Sequence, residues 1–262
     1  MRILNIISSW VCFVVLFLGK DNQLFGGVTL MAKSKIIKDL ANSTVDTMTA
    51  LKRAKVLLSE IDNQEVNNWI NYEIGGYPTG VTLPDYRLVR GNLFGSYFKG
   101  SMVSHMTWTN VSIPLGKMPD DLQETLLQVE LRESVDSLKK VAENSAAKDA
   151  QPGKVIPADF YPIIAKYNND PYMMITSARV IFGEQCITNV FAAIENRLLD
   201  ILILLEKKFG ILDELDIDVT SKGPEELQDI AEKIILIIYH DQSVTIGDNN
   251  KIKDSTIAST IE

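Results

Sequence analysis

The chain has 262 residues, and its 26 Lys or Arg against 34 Asp or Glu give a formal charge of −8. That balance argues against non-specific binding to nucleic acid or to anionic membranes, which draws on clustered cations. Two cysteines, Cys12 and Cys186, exclude a disulfide scaffold and a cysteine zinc cluster, and two isolated histidines, His105 and His240, exclude most histidine metal sites, so no metal or cofactor is expected.

In chain order, the first feature is an apolar run from Ile3 to Leu18, preceded by Arg2 and followed by Lys20 and Asp21. A signal peptide would need a small-residue cleavage site, and Gly26-Gly27 is a poor one. A membrane anchor is short of the roughly 20 residues that a span requires. A third reading takes residues 1–30 as a mis-annotated leader. Met31-Ala32-Lys33-Ser34-Lys35 reads as an ordinary cytosolic start, and the codons of Gly26-Gly27-Val28 can spell a ribosome-binding sequence. Cytoplasmic location is the expectation, with inner-membrane anchoring the alternative if residues 1–30 are native.

A first helix is expected from about Ser34 to Glu60, with Leu51, Ala54, Leu58 and Ile61 at helical spacing. Asn63 is placed to cap a second, Gln64 to Ile74, which Gly75-Gly76 stops before a turn at 77–80. From Tyr86 to Pro114 aromatic and β-branched residues predict two or three short strands, interrupted by Gly91, Gly95 and Gly100. A third helix is expected after Pro119, with Leu122, Leu126, Val129, Val135, Leu138 and Val141 on one face and Glu130 and Glu133 on its surface near Arg132. Residues 144–157 read as a loop, and 160–166 as a short helix. Residues 173–182 are ambiguous between strand and helix. The strongest expectation is a core helix from Ile187 to Phe209 ended by Gly210, followed by a last helix over 225–239. Only Gln242 to Glu262 returns to β-like alternation. The fold class read from this order is α+β: helices packed around a small antiparallel sheet, with a short C-terminal β-like tail.

Motifs for chemistry are scarce. There is no phosphate-binding Gly-Lys-Ser/Thr loop, no Gly-x-Ser-x-Gly elbow and no His-Glu-x-x-His. Cys186 reads as a packed small residue, His105 as a strand residue without an orienting carboxylate, and His240 as a helix-end cation. Asp120-Asp121 and Glu225-Glu226 fall in first helical turns, where the dipole favours acids. One constellation stands apart. Trp69 and Glu73 share a helix face, Tyr77 follows the glycine stop, and Pro84-Asp85-Tyr86-Arg87 follows the turn. Folding back would let Arg87 meet Glu73, clamping the corner between helix and sheet with Trp69 and Tyr77 packed around it. A structural role is preferred there over ligand binding.

These residues resemble the AbiTii domain, a family named after one protein of a two-component abortive-infection system. The resemblance rests on Leu51 to Leu58, on Glu65, Trp69-Ile70 and Glu73-Ile74-Gly75-Gly76-Tyr77, on Leu83-Pro84-Asp85-Tyr86-Arg87, and on Ile194 to Asp200. It runs from about Ser34 to Gly210, starting just after Met31, and its motif positions are Trp69, Glu73, Gly76, Tyr77, Pro84, Tyr86 and Arg87. Ile74 stands where the family usually has Leu, and Glu195 where a basic residue is common. The resemblance implies anti-phage defence and no particular reaction, with a second defence protein as an expected partner and an unidentified phage-derived trigger.

The tail looks like a β-helix-type rung, with Ile246, Ile252 and Ile257 inward and Gly247, Asn249 and Asn250 at the corners. One rung cannot bury its own apolar side, so homo-oligomerisation by stacking is the functional reading, against a polar terminus without fixed structure. The domain reading is then 1–30 leader or anchor, 31–210 AbiTii-like domain, 211–241 helical segment and 242–262 tail. The function expected is a sensing or oligomerising module. The alternatives are a nuclease or nucleotide-acting toxin built from scattered acids, and a membrane-anchored effector.

Overall fold

The computed structural model describes residues 33–101, 103–148 and 151–239. The leader, Cys12, His240 and the tail with Ile246, Gly247, Asn249, Asn250, Ile252 and Ile257 lie outside the described residues.

The fold is α+β, as the sequence indicates. The first expected helix is two: α1 (Lys35–Ala41) and α2 (Thr47–Ser59). The break has local causes. Ser43 adopts a positive φ of 52°, and Asp46 caps α2 by accepting from the Thr49 N–H at 3.0 Å. Asn63 caps α3 (Gln64–Gly75) by accepting from the N–H groups of Glu65 and Val66. A 3₁₀ turn at Asp85–Arg87 then leads into β1 (Leu88–Arg90), β2 (Asn92–Gly100) and β3 (His105–Ser112).

The single helix expected after Pro119 is also wrong. α4 (Asp120–Leu127) ends where Gln128–Glu130 becomes β4, and α5 (Val135–Lys148) begins after a loop. The apolar spacing runs on through this break. Val129 belongs to the strand because it pairs with Val89 of β1, a contact that local periodicity does not carry. Glu130 and Glu133 are therefore strand and loop residues, not helix-surface ones. The loop expected at 144–157 contains the end of α5 and a three-residue strand, β5 (Gly153–Val155). Then come α6 (Tyr161–Tyr167), β6 (Met173–Ile181), α7 (Gln185–Phe209) and α8 (Pro224–Tyr239).

Four strands form an antiparallel sheet in the order β3-β2-β6-β5, and β1 pairs with β4 in a separate two-stranded ribbon. β2 and β3 slip register where Thr109 and Asn110 face Ser96, with Asn110 at φ 51°. α7 is the central element, touching α1, α2, α5 and α8. Val190, Ile194, Leu198, Ile201 and Leu205 are fully buried along it, in one core with α2, α3 and α8. Among the described residues, no helix is long and apolar enough to cross a membrane.

Candidate functional site

The constellation seen in the sequence is gathered into one buried polar cluster at the corner of α3, the 3₁₀ turn and the β1–β4 ribbon. α3 presents Trp69 and Glu73 one turn apart on its inner face. Gly76, at φ 97°, redirects the chain so that Tyr77 N–H donates to the Arg132 carbonyl at 2.7 Å. A Cβ at Gly76 would stand 3.1 Å from that carbonyl oxygen. Pro84 opens the 3₁₀ turn, and its carbonyl accepts from Arg87 N–H at 2.9 Å. The turn aims Tyr86 and Arg87 back at α3.

Glu73 and Arg87 side chains are 0% exposed. Glu73 Oε1 accepts from Tyr77 Oη and Tyr86 Oη, each at 2.7 Å, and from Arg87 Nε at 3.1 Å. Glu73 Oε2 accepts from Arg87 Nη2 at 2.5 Å, completing a bidentate pair. Arg87 Nη1 donates to the carbonyls of Leu131 and Glu133 at 2.7 and 2.8 Å. Trp69 Nε1 donates to Tyr86 Oη at 2.8 Å. Every buried side-chain nitrogen and oxygen among the described residues has a hydrogen-bond partner. The seven motif positions thus meet in one place, five of them by side-chain hydrogen bonds and Gly76 and Pro84 through backbone geometry.

The electrostatics follow from burial around a fixed negative charge. Burial and then the Glu73 carboxylate push the Tyr77 and Tyr86 hydroxyls well above the ordinary tyrosine range, so both stay protonated donors. Burial alone would lower the Arg87 guanidinium, but Glu73 outweighs it and holds Arg87 above its usual value. The two tyrosine hydroxyls and the guanidinium therefore keep their protons across physiological pH.

Arg197 is a member that the sequence reading left without a role. Its guanidinium lies 4.4 Å from the Tyr86 ring centroid. Its Nε donates to the Ile238 carbonyl in the last turn of α8 at 2.9 Å. The available signal was a cation inside the apolar stripe formed by Ile194, Leu198 and Ile201. A second missed cluster anchors α1. The N–H and hydroxyl of buried Ser34 both donate to Glu206 Oε1 at 2.6 Å, and Lys33 Nζ donates to Oε2 at 2.6 Å. No local pattern joins residues so far apart in the chain.

The remaining candidates are dispersed. His105 is exposed in β3, its ring 4.8 Å from that of Phe98. Cys186 is a half-buried free thiol in the first turn of α7. Glu195 accepts from Thr47 Oγ1 at 2.5 Å. Asp120 and Asp121 are exposed in the first turn of α4, and Glu225 is exposed in that of α8. Among the described residues, no group of three or more His, Cys, Asp or Glu is placed to hold a metal ion. A hollow of about 430 Å³ is lined by Gln128, Glu130, Arg132, Glu133 and Lys154, sharing the Leu131–Glu133 wall with the cluster.

The AbiTii family matches residues 34–228. No curated protein and no solved structure matches the chain. The family match spans α1 to the first turn of α8, so the buried cluster lies wholly inside it. By that coverage the chain belongs to the AbiTii family, and membership points to abortive-infection, anti-phage defence.

Proposed function

We propose that the chain acts in abortive infection as a non-catalytic sensing and oligomerising component, with residues 242–262 as the assembly element, in the cytoplasm, beside a second defence protein. The observation that carries this reading is the sequestration of the motif. Trp69, Glu73, Tyr77, Tyr86 and Arg87 spend their side-chain polar atoms on one another and on the Leu131 and Glu133 carbonyls inside the fold, which suits a rigid platform better than a reaction centre. Tail stacking would bring platforms together, since Ile246, Ile252 and Ile257 of one rung need another rung to cover them.

The test is phage challenge of cells carrying the native locus with its neighbouring genes. Plating efficiency and survival of infected cells are scored for three variants. Deletion of residues 242–262 is expected to abolish protection and shrink the assembly by light scattering, with an unchanged melting temperature. Asp120→Asn with Asp121→Asn, and separately Glu225→Gln, are expected to protect like the parent. Protection that survives the deletion, or that one acidic substitution destroys in a fully folded chain, would replace this reading with an enzymatic one.

A further inference from the structure

The two edges of the four-stranded sheet are built differently. β5 is three residues long and carries Lys154, short and charged in the way soluble proteins protect an edge. β3 is eight residues long, and the run from Ser101 to Ile113 around it contains no Asp, Glu, Lys, Arg or Pro. Backbone direction along β3 follows from its neighbours. Gly100 N–H donates to the Tyr172 carbonyl, so the backbone groups of Phe98 and Gly100 face β6. By alternation those of Tyr97 and Lys99 face β3, where they oppose Trp108 and Met106. The N–H and C=O groups of His105 and Thr107 therefore point outward from the sheet.

The same end of the sheet concentrates exposed apolar side chains: Val103 is 97% exposed, Met106 68%, Tyr172 64% and Met174 53%. Register places Met174, Phe98 and Thr107 in one row across β6, β2 and β3.

We propose that β3 is a homodimer interface, in which His105–Thr109 of two copies pair antiparallel about a twofold axis at Thr107. Three features select a second copy as the occupant. A twofold pairing brings each charge on the strand close to its own copy, directly opposite it at the axis, and this strand carries none. Nothing on it therefore adds to the mutual repulsion of two chains of charge −8. The register sets Met106 opposite Trp108 of the partner subunit, a thioether–aromatic contact, and runs the Met174–Phe98–Thr107 row on into the second sheet. The bulge at Asn110 bends the edge beyond this point and confines pairing to the residues before it.

This interface is independent of the tail, and the experiment keeps the two apart. Sedimentation velocity is run on the full 29.3 kDa chain carrying Ile252→Asp and Ile257→Asp, which remove the apolar side of the tail. Twice the chain mass is expected. Adding Thr107→Lys or Thr107→Glu places like charges opposite one another and should halve the mass, while Thr107→Val should leave it unchanged. An equal mixture of the Lys and Glu variants should regain the doubled mass, because the pair is then complementary. A monomer before any change at Thr107, a mass indifferent to Thr107→Lys, or a mixture that stays monomeric each overturns the proposal. Failure of the tail to assemble leaves it standing.

Discussion

Glu73 and Arg87 are a buried ion pair, and such a pair has two distinct energetics. Moving both charges out of water is costly, and their attraction with good hydrogen bonding roughly offsets that cost. Removing one partner leaves the other charge uncompensated. Glu73→Ala is therefore expected to destabilise the chain by about 3–5 kcal/mol, read from urea unfolding. The paired replacement Glu73→Leu with Arg87→Met should cost much less than the sum of the two single changes, because no lone charge remains. Additive losses in that double-mutant cycle would mean the two side chains act separately. Glu73 and Arg87 are legible as partners in the amino-acid sequence, because a helix ending in Gly-Tyr and returning as Tyr-Arg has few ways to dispose of a buried acid. Arg197 is not, because its acceptor, the Ile238 carbonyl, lies on a helix that only tertiary packing brings near.

At the scale of the element, the two glycines ending α3 do different work. Gly75 is helical and a Cβ there meets nothing within 4 Å, whereas Gly76 has φ 97° with backbone of Arg132 and Ser134 beside it. Gly76→Ala should cost about 1–3 kcal/mol, the usual penalty of a forced left-handed position. Gly75→Ala should be neutral or stabilise by up to about 1 kcal/mol. Thermal melts of the two variants separate them, and equal losses would refute the assignment.

The anchoring of α1 gives a pH signature. Burial raises the Glu206 carboxyl, but Lys33 and Ser34 outweigh it and hold it below the usual carboxylate range. A depressed carboxylate contributes stability above its unfolded pKa and loses it as pH falls through the folded one. The melting temperature of the parent should therefore fall more steeply in acid than that of Glu206→Gln, and parallel curves would count against the tether.

The helices that could be read from sequence are those whose ends carry local chemistry: Asn63 before α3, Gly210 after α7, and Pro224 with two acids at the start of α8. The splits between α1 and α2, and between α4 and α5, were hidden because apolar spacing continues across both breaks. What interrupts it is a positive φ at Ser43 in one case and strand pairing with β1 in the other.

For the whole molecule, the cluster joins parts of the chain that the sheet does not. A continuous path runs from the Leu131 and Glu133 carbonyls through Arg87, Glu73, Tyr86 and Arg197 to the last turn of α8. Tyr239 reports the same proximity. Burial, then the charges of Glu65 and Glu73, pushes its hydroxyl up to about 12. α8 is thus held at its C-terminal end by a residue of the central helix, next to the segment proposed to assemble. Arg197→Met keeps much of the apolar stem while removing the guanidinium. A hydrogen bond from a charged donor contributes about 1.5–3 kcal/mol, so local opening of the last turn should become easier by on the order of tenfold or more. Hydrogen exchange is then expected to quicken across Ile234–Tyr239 and around Tyr86, and to stay unchanged in α1 and α2, which lie off this path. Unchanged exchange at Ile234–Tyr239 would show that apolar packing alone docks α8. Faster exchange throughout would show instead that Arg197 supports the entire core.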